Sequence, residues 1–246
     1  MLGQPEIAAN LSRVKERLAA AALRVGRRPE EILLVGIAKE VAAEQVRFAL
    51  EAGLTDLGEN YLQEARRKHL EIGRRARWHF VGHLQTNKVK AAVGLFDLIQ
   101  SVDSLRLARA LSREAEAAGR AVEGLLQVNT SGEPSKFGIL PEELAAAAVE
   151  AAALPGLRLR GLMTIGRWAP DPEEARAEFR LLAGLAERLG KRGLPGVEMR
   201  FLSMGMSHDF EVAIEEGANL IRVGTAIFGP RPQRQHRPPR GASQQH

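Results

Sequence analysis

The 246-residue chain contains no cysteine, which excludes a disulfide framework, a zinc–thiolate centre and a thiol nucleophile. No apolar run reaches membrane-spanning length, and the opening stretch MLGQPEIAANLSRVKERL turns polar too early for a secretory signal. The expectation is a soluble cytoplasmic protein. No glycine-rich dinucleotide loop follows the first strand candidate, and neither a P-loop nor a Gly-x-Ser-x-Gly elbow occurs. The histidines are too isolated to argue a metal site. Tyrosine is present once, as Tyr61, and lysine is scarce: seven against twenty-eight arginines.

The net charge of +5 invites a nucleic-acid reading, but its distribution argues against one. Arg231, Arg234, Arg237 and Arg240 all fall in the terminal stretch, and without them the remainder carries +1. Residues 231–246 are dominated by Pro, Gln and Arg, a composition that predicts a disordered basic tail. The body offers neither the aromatic platforms nor the basic face that nucleic-acid binding uses.

Apolar residues Ile7, Leu11, Val14 and Leu18 recur at helical spacing, so residues 1–30 supply one N-terminal helix that ends near Gly26. Short apolar runs then alternate with amphipathic stretches. The strand candidates are 32–38, 56–59, 78–83, 97–102, 124–129, 157–165, 197–204 and 220–224. The helix candidates are 41–53, 60–74, 104–118, 141–153, 172–191 and 208–217. Eight strands alternating with helices predict a single (β/α)8 TIM barrel over residues 31–230, with the extra helix packed on it. An open doubly wound sheet is disfavoured by the missing glycine-rich loop.

In such a barrel, function gathers at the carboxyl ends of the strands, and so do the unusual polar residues. Lys39 follows strand one, and Asn60 follows strand two. His83, Gln85 and Asn87 follow strand three, Thr164 strand six, and 203–207 strand seven. Arg222 to Thr225 lie on and after strand eight. A lysine at a strand end usually snorkels to solvent. Here, however, the chain takes most of its positive charge from arginine, which cannot form an imine, so Lys39 reads as a carbonyl nucleophile. The turns SMGMSHD (203–209) and RVGTAIFG (222–229) sit on neighbouring strands. Gly205, Ser207, Gly224 and Thr225 in them predict an anion cradle, with Ser207 also capping the helix that follows it. Arg222 could face the barrel interior or the helices. An amine, a phosphate cradle and an inward arginine together suggest pyridoxal 5'-phosphate (PLP). His83, Asn60 and Tyr61 lie past strand ends, where one or two of them could face the ring.

The motifs GENYLQE (58–64), WHFVGHLQTNK (78–88), SKFG (135–138), RLRGLMTI (158–165) and 203–229 occur in the order found in a known family. From about Leu33 to Pro230 the chain resembles the pyridoxal phosphate homeostasis proteins, which are similar to the N-terminal barrel of alanine racemase. The resemblance implies the type III fold of PLP proteins without a C-terminal β domain. It implies PLP held as a Schiff base on Lys39, phosphate bound by Ser207, Gly224 and Thr225, and Arg222 facing the ring nitrogen. Asn60 matches a pocket residue, and Met206 and His83 are counted with the binding set. The family usually carries hydroxyl residues and a proline around its lysine, where this chain reads AKEVAAE (38–44).

An arginine opposite the ring nitrogen weakens the ring as an electron sink. Racemases of this fold add a tyrosine base from a second domain, and this chain has only Tyr61. The leading expectation is therefore a monomeric carrier in PLP homeostasis that delivers the cofactor to apo-enzymes, without nucleic-acid or membrane partners. A weak amino-acid racemase or a Schiff-base aldolase is the enzymatic alternative, and nucleic-acid binding through the tail is a third.

Overall fold

The computed structural model describes residues 2–230, so the predicted tail at 231–246 lies outside the described residues. Eight parallel strands close on themselves in sequence order: β1 (Leu33–Ile37), β2 (Asp56–Glu59), β3 (Arg77–Phe80), β4 (Leu98–Val102), β5 (Val122–Gln127), β6 (Leu157–Met163), β7 (Val197–Ser203) and β8 (Leu220–Val223). Pairing of Leu33 with Leu220 and of Val35 with Arg222 joins the last strand to the first. Strands β1, β4 and β8 are buried on both faces and read as largely apolar runs, whereas β7 alternates, with Glu198 and Arg200 exposed.

The period of two along each strand divides two cores. Val35, Ile37, Val81, Leu98, Leu125, Met163, Phe201 and Leu220 fill the barrel interior. Leu34, Leu57, Trp78, Phe80, Ile99, Ile221 and Val223 point outward into the layer beneath the helices.

The helices are α1 (Gln4–Arg24), α2 (Ala43–Glu51), α3 (Leu62–Ile72), α4 (Val89–Leu95), α5 (Leu105–Ala117), α6 (Leu144–Ala152), α7 (Arg176–Lys191), α8 (Phe210–Glu215) and α9 (Thr225–Phe228). Their apolar stripes explain their seating. In α5, Leu107, Ala108, Leu111 and Ala115 are buried, and the Ser104 hydroxyl caps the helix by accepting from the Leu107 amide at 3.3 Å. In α7, Phe179, Leu182, Leu185 and Leu189 do the same work, each buried side chain contributing about 1.5–3 kcal/mol. The first helix packs against α2, α8 and α9, with Arg17 and Arg24 reaching Glu211 and Glu215 on α8.

Several elements differ from the sequence reading, among them the four-residue α9, which no helix candidate covers. Helix α4 has only seven residues, too few for a periodic stripe to stand out, and the reading passed over it. The segment predicted as one helix over 172–191 begins with a 3-10 turn, Pro172–Ala175, before α7.

Candidate functional site

Above the carboxyl ends of the strands lies a cavity of about 340 Å³, lined by Ile37, Lys39, Asn60, Val81, Ile165, Trp168, Met206, Ser207, His208, Arg222, Gly224 and Thr225. Seven of the eight residues expected from sequence meet here. The eighth, His83, lines a separate cleft with Tyr61, Phe80 and Gln85. There its Nδ1 lies 2.9 Å from Asp103 Oδ2, and its ring stacks on Phe137 with centroids 4.0 Å apart. Asn60 borders both spaces.

Leu220 and Arg222 share the inward face of β8 because Ile221 and Val223 pack outward. The guanidinium is buried. Its Nη1 donates to Ser203 Oγ at 2.5 Å, and its Nη2 donates to the Thr164 carbonyl at 2.7 Å. Burial pushes its pKa down to about 10, with the Asp209 carboxylate opposing the shift, so Arg222 is a cation at neutral pH. Burial likewise raises the Asp209 carboxyl pKa, although Oδ1 accepts the Met206 amide at 2.6 Å and Arg222 lies within its field.

A polar spine runs from Arg222 through the barrel interior. Ser203 Oγ donates to Gln100 Oε1 at 2.6 Å, Gln100 Nε2 lies 2.9 Å from His79 Nδ1, and His79 Nε2 lies 2.9 Å from Asp56 Oδ1. Arginine only donates and a carboxylate only accepts. The hydrogens therefore run one way, with His79 accepting at Nδ1 and donating from Nε2. At Asp56, burial favours the protonated form, but the hydrogen bonds from His79 and Thr55 outweigh it and hold the pKa below the usual carboxylate value. His79 sits in the middle of this chain of bonds. It is wholly buried and bonded at both nitrogens.

The two glycine-bearing turns meet as expected, with one correction. Gly205 has φ 89°, and a Cβ there would stand 2.6 Å from Ala213 Cβ, so only glycine fits without displacement. Ser207 does not cap the helix that follows it. Asp209 is the N-cap of α8. The Ser207 hydroxyl instead accepts from the Gly224 amide at 3.1 Å and the Ala226 amide at 3.3 Å, at the start of α9. Asp209 closes the 206–209 turn from its own side chain, which leaves Ser207 free to reach across to the neighbouring strand.

Trp168 lies on the rim, 73% exposed, and the sequence reading missed it because a loop residue carries no periodic signal. Its loop is anchored by the buried Glu178 carboxylate, which accepts the Arg167 amide at 2.9 Å and Arg167 Nε at 3.0 Å. Among the described residues, no cluster of metal-ligating side chains occurs, and no helix is long and apolar enough to cross a membrane.

Residues 6–232 match the model of the alanine racemase N-terminal domain family. The pyridoxal phosphate homeostasis protein of Pseudomonas aeruginosa is 44% identical over 227 residues, covering 92% of this chain and 96% of that protein. PipY of Synechococcus elongatus, solved with PLP bound, superposes with a TM-score of 0.77 at 38% identity, over 88% of this chain and 100% of PipY. Alanine racemase of Corynebacterium glutamicum shares the fold, with a TM-score of 0.69 at 19% identity, over 94% of this chain and 62% of the racemase. With its barrel closed in sequence order and these matches spanning nearly its whole length, the chain belongs to the pyridoxal phosphate homeostasis protein family, within the wider family of alanine racemase N-terminal domains.

Proposed function

We propose that the cavity binds PLP and that the protein is a monomeric cytoplasmic carrier in PLP homeostasis, holding the cofactor and handing it on without turnover of its own. The observation that carries this is the convergence of Lys39, Arg222 and the Ser207–Gly224–Thr225 turn on one cavity. The residues fit the group. Two backbone amides, those of Gly224 and Ala226, already aim at a single oxygen, Ser207 Oγ, the arrangement that suits a phosphate oxygen. The bonds to Ser203 and Thr164 take two of the five donors of Arg222, whose guanidinium borders the cavity.

When bound, PLP supplies an aldehyde that a primary amine takes up as a Schiff base, and Lys39 Nζ is the amine for it. Ser207, Gly224 and Thr225 would hold the phosphate, and Arg222 would be the partner of the ring nitrogen. Asn60 and Met206 wall the site. A buried arginine with a pKa of about 10 keeps its proton at neutral pH and discourages a second one on the ring nitrogen. The single tyrosine lines the neighbouring cleft instead of the cavity. One base and a weak electron sink argue against efficient racemisation.

The test mixes cofactor-loaded full-length protein with a PLP-dependent apo-enzyme. Stoichiometric reactivation without alanine racemisation above background is the expected result. Sustained turnover of an amino acid would contradict the carrier reading, and sedimentation as a dimer would contradict the monomer.

A further inference from the structure

The chain reverses direction at Lys39. The Val41 amide donates to the Ala38 carbonyl at 3.0 Å, closing a four-residue turn with Lys39 and Glu40 at its centre. Glu40 has φ 61°, the one positive φ among described residues other than glycine. Positive φ at the third residue of such a turn is normally met by glycine or asparagine, and any other residue is strained there.

Helix α3 holds this strained turn from both ends. The Glu64 carboxylate accepts the Glu40 amide with both oxygens, at 3.0 and 3.1 Å. One helical turn later, Lys68 Nζ donates to the Ala38 carbonyl. The peptide groups on either side of Lys39 are thus gripped by two side chains of one helix. Lys68 is itself fixed: its Nζ lies 2.7 Å from Glu59 Oε1 and 3.8 Å from Glu64 Oε1, with Lys68 and Glu59 both buried. A buried ion pair is poor evidence of a purely stabilising role, because apolar residues of similar volume often serve stability equally well. These charges, however, end on the backbone of the turn that presents Lys39.

We propose that Glu64 and Lys68 are positioning residues for Lys39, holding the 38–41 turn so that the amine meets an aldehyde in one orientation. The proposal rests on Lys39 being the cofactor amine. Capture joins Lys39 Nζ to the aldehyde carbon and releases the carbonyl oxygen as water, with no change in oxidation state. Bracing the turn makes the encounter one of fixed geometry, and misplacement of the amine by an ångström slows it by up to about a hundredfold.

The test uses full-length Glu64→Gln, Lys68→Met, Glu40→Gly and the Glu64→Gln/Glu40→Gly double variant. PLP capture by cofactor-free protein is followed by stopped-flow absorbance, and the Glu40 amide by hydrogen exchange without cofactor. Glu64→Gln slows capture about tenfold or more, speeds exchange at Glu40, and leaves the final stoichiometry at one cofactor per chain. In the double variant, glycine takes the positive φ without steric cost and recovers part of the lost rate. A general loosening of α3 would not be rescued by a change at residue 40. Should Lys68→Met fail to fold, Glu64→Gln carries the test. Wild-type rates of capture and exchange in Glu64→Gln overturn the brace alone. A wild-type protein that captures no PLP overturns the parent reading and the brace with it.

Discussion

Arg222 Nη1 and Ser203 Oγ lie 2.5 Å apart, and the serine hydroxyl in turn donates a hydrogen bond to Gln100 Oε1 at 2.6 Å. The cation that borders the cavity is therefore tied to a chain of donors that crosses the barrel interior and ends at Asp56 on β2. Removing the middle of that chain leaves buried partners unpaired, which costs about 1–3 kcal/mol for each group. Ser203→Ala is expected to lower the melting temperature and weaken PLP binding. Both are measured on the same purified variant, and an unchanged binding constant would separate the spine from the site.

Acid tests the other end of the chain. The Asp56 carboxyl has a folded pKa below its unfolded value, so its stabilisation is complete above the ordinary carboxylate range, about 3.9, and is lost as pH falls through the folded value. Asp56→Asn is expected to reduce stability at neutral pH and to flatten the acid limb of stability against pH. Asp209 works in the opposite sense. Its raised pKa makes the protein bind that proton more tightly when folded, so its contribution falls as pH rises through the folded value. Denaturant midpoints from neutral to acid pH check both signs.

Only two tryptophans are present, and they report on different places. Trp78 is buried beneath the helices, whereas Trp168 is on the cavity rim. Titration with PLP is expected to quench emission from Trp168. Trp168→Phe removes most of that change and Trp78→Phe leaves it, so an equal response in both variants would contradict the placement.

The turn after β7 depends on Gly205. Alanine there would adopt an unfavourable positive φ and press on Ala213 and Phe210, at a cost of about 1–3 kcal/mol. Thermal melting and PLP affinity of Gly205→Ala should both fall, the affinity because Met206 and Ser207 follow directly. A variant with wild-type melting would show that the turn relaxes without cost.

Much of this was legible in the sequence because barrels repeat a local pattern. Short, largely apolar runs marked most of the strands, and polar residues at their carboxyl ends marked the site. The facing of Arg222 was not legible, since a four-residue strand has too little period to orient it; Leu220 inward and Ile221 outward settled it. Ser207 was assigned to its own helix because capping rules are local, while its hydroxyl bonds to amides 17 and 19 residues away. Glu40 had no role in the sequence reading, and its backbone gave one: the amide, held by Glu64, closes the grip on the Lys39 turn. His83 and Asn60 looked equivalent past their strand ends, but only Asn60 reaches the cavity with Lys39.

The most direct test of the central claim is borohydride reduction of PLP-loaded protein followed by peptide mass spectrometry. The account predicts one reduced cofactor adduct, on Lys39, and its loss in Lys39→Ala together with the absorbance band. No adduct, or an adduct on another lysine that survives in Lys39→Ala, would contradict it.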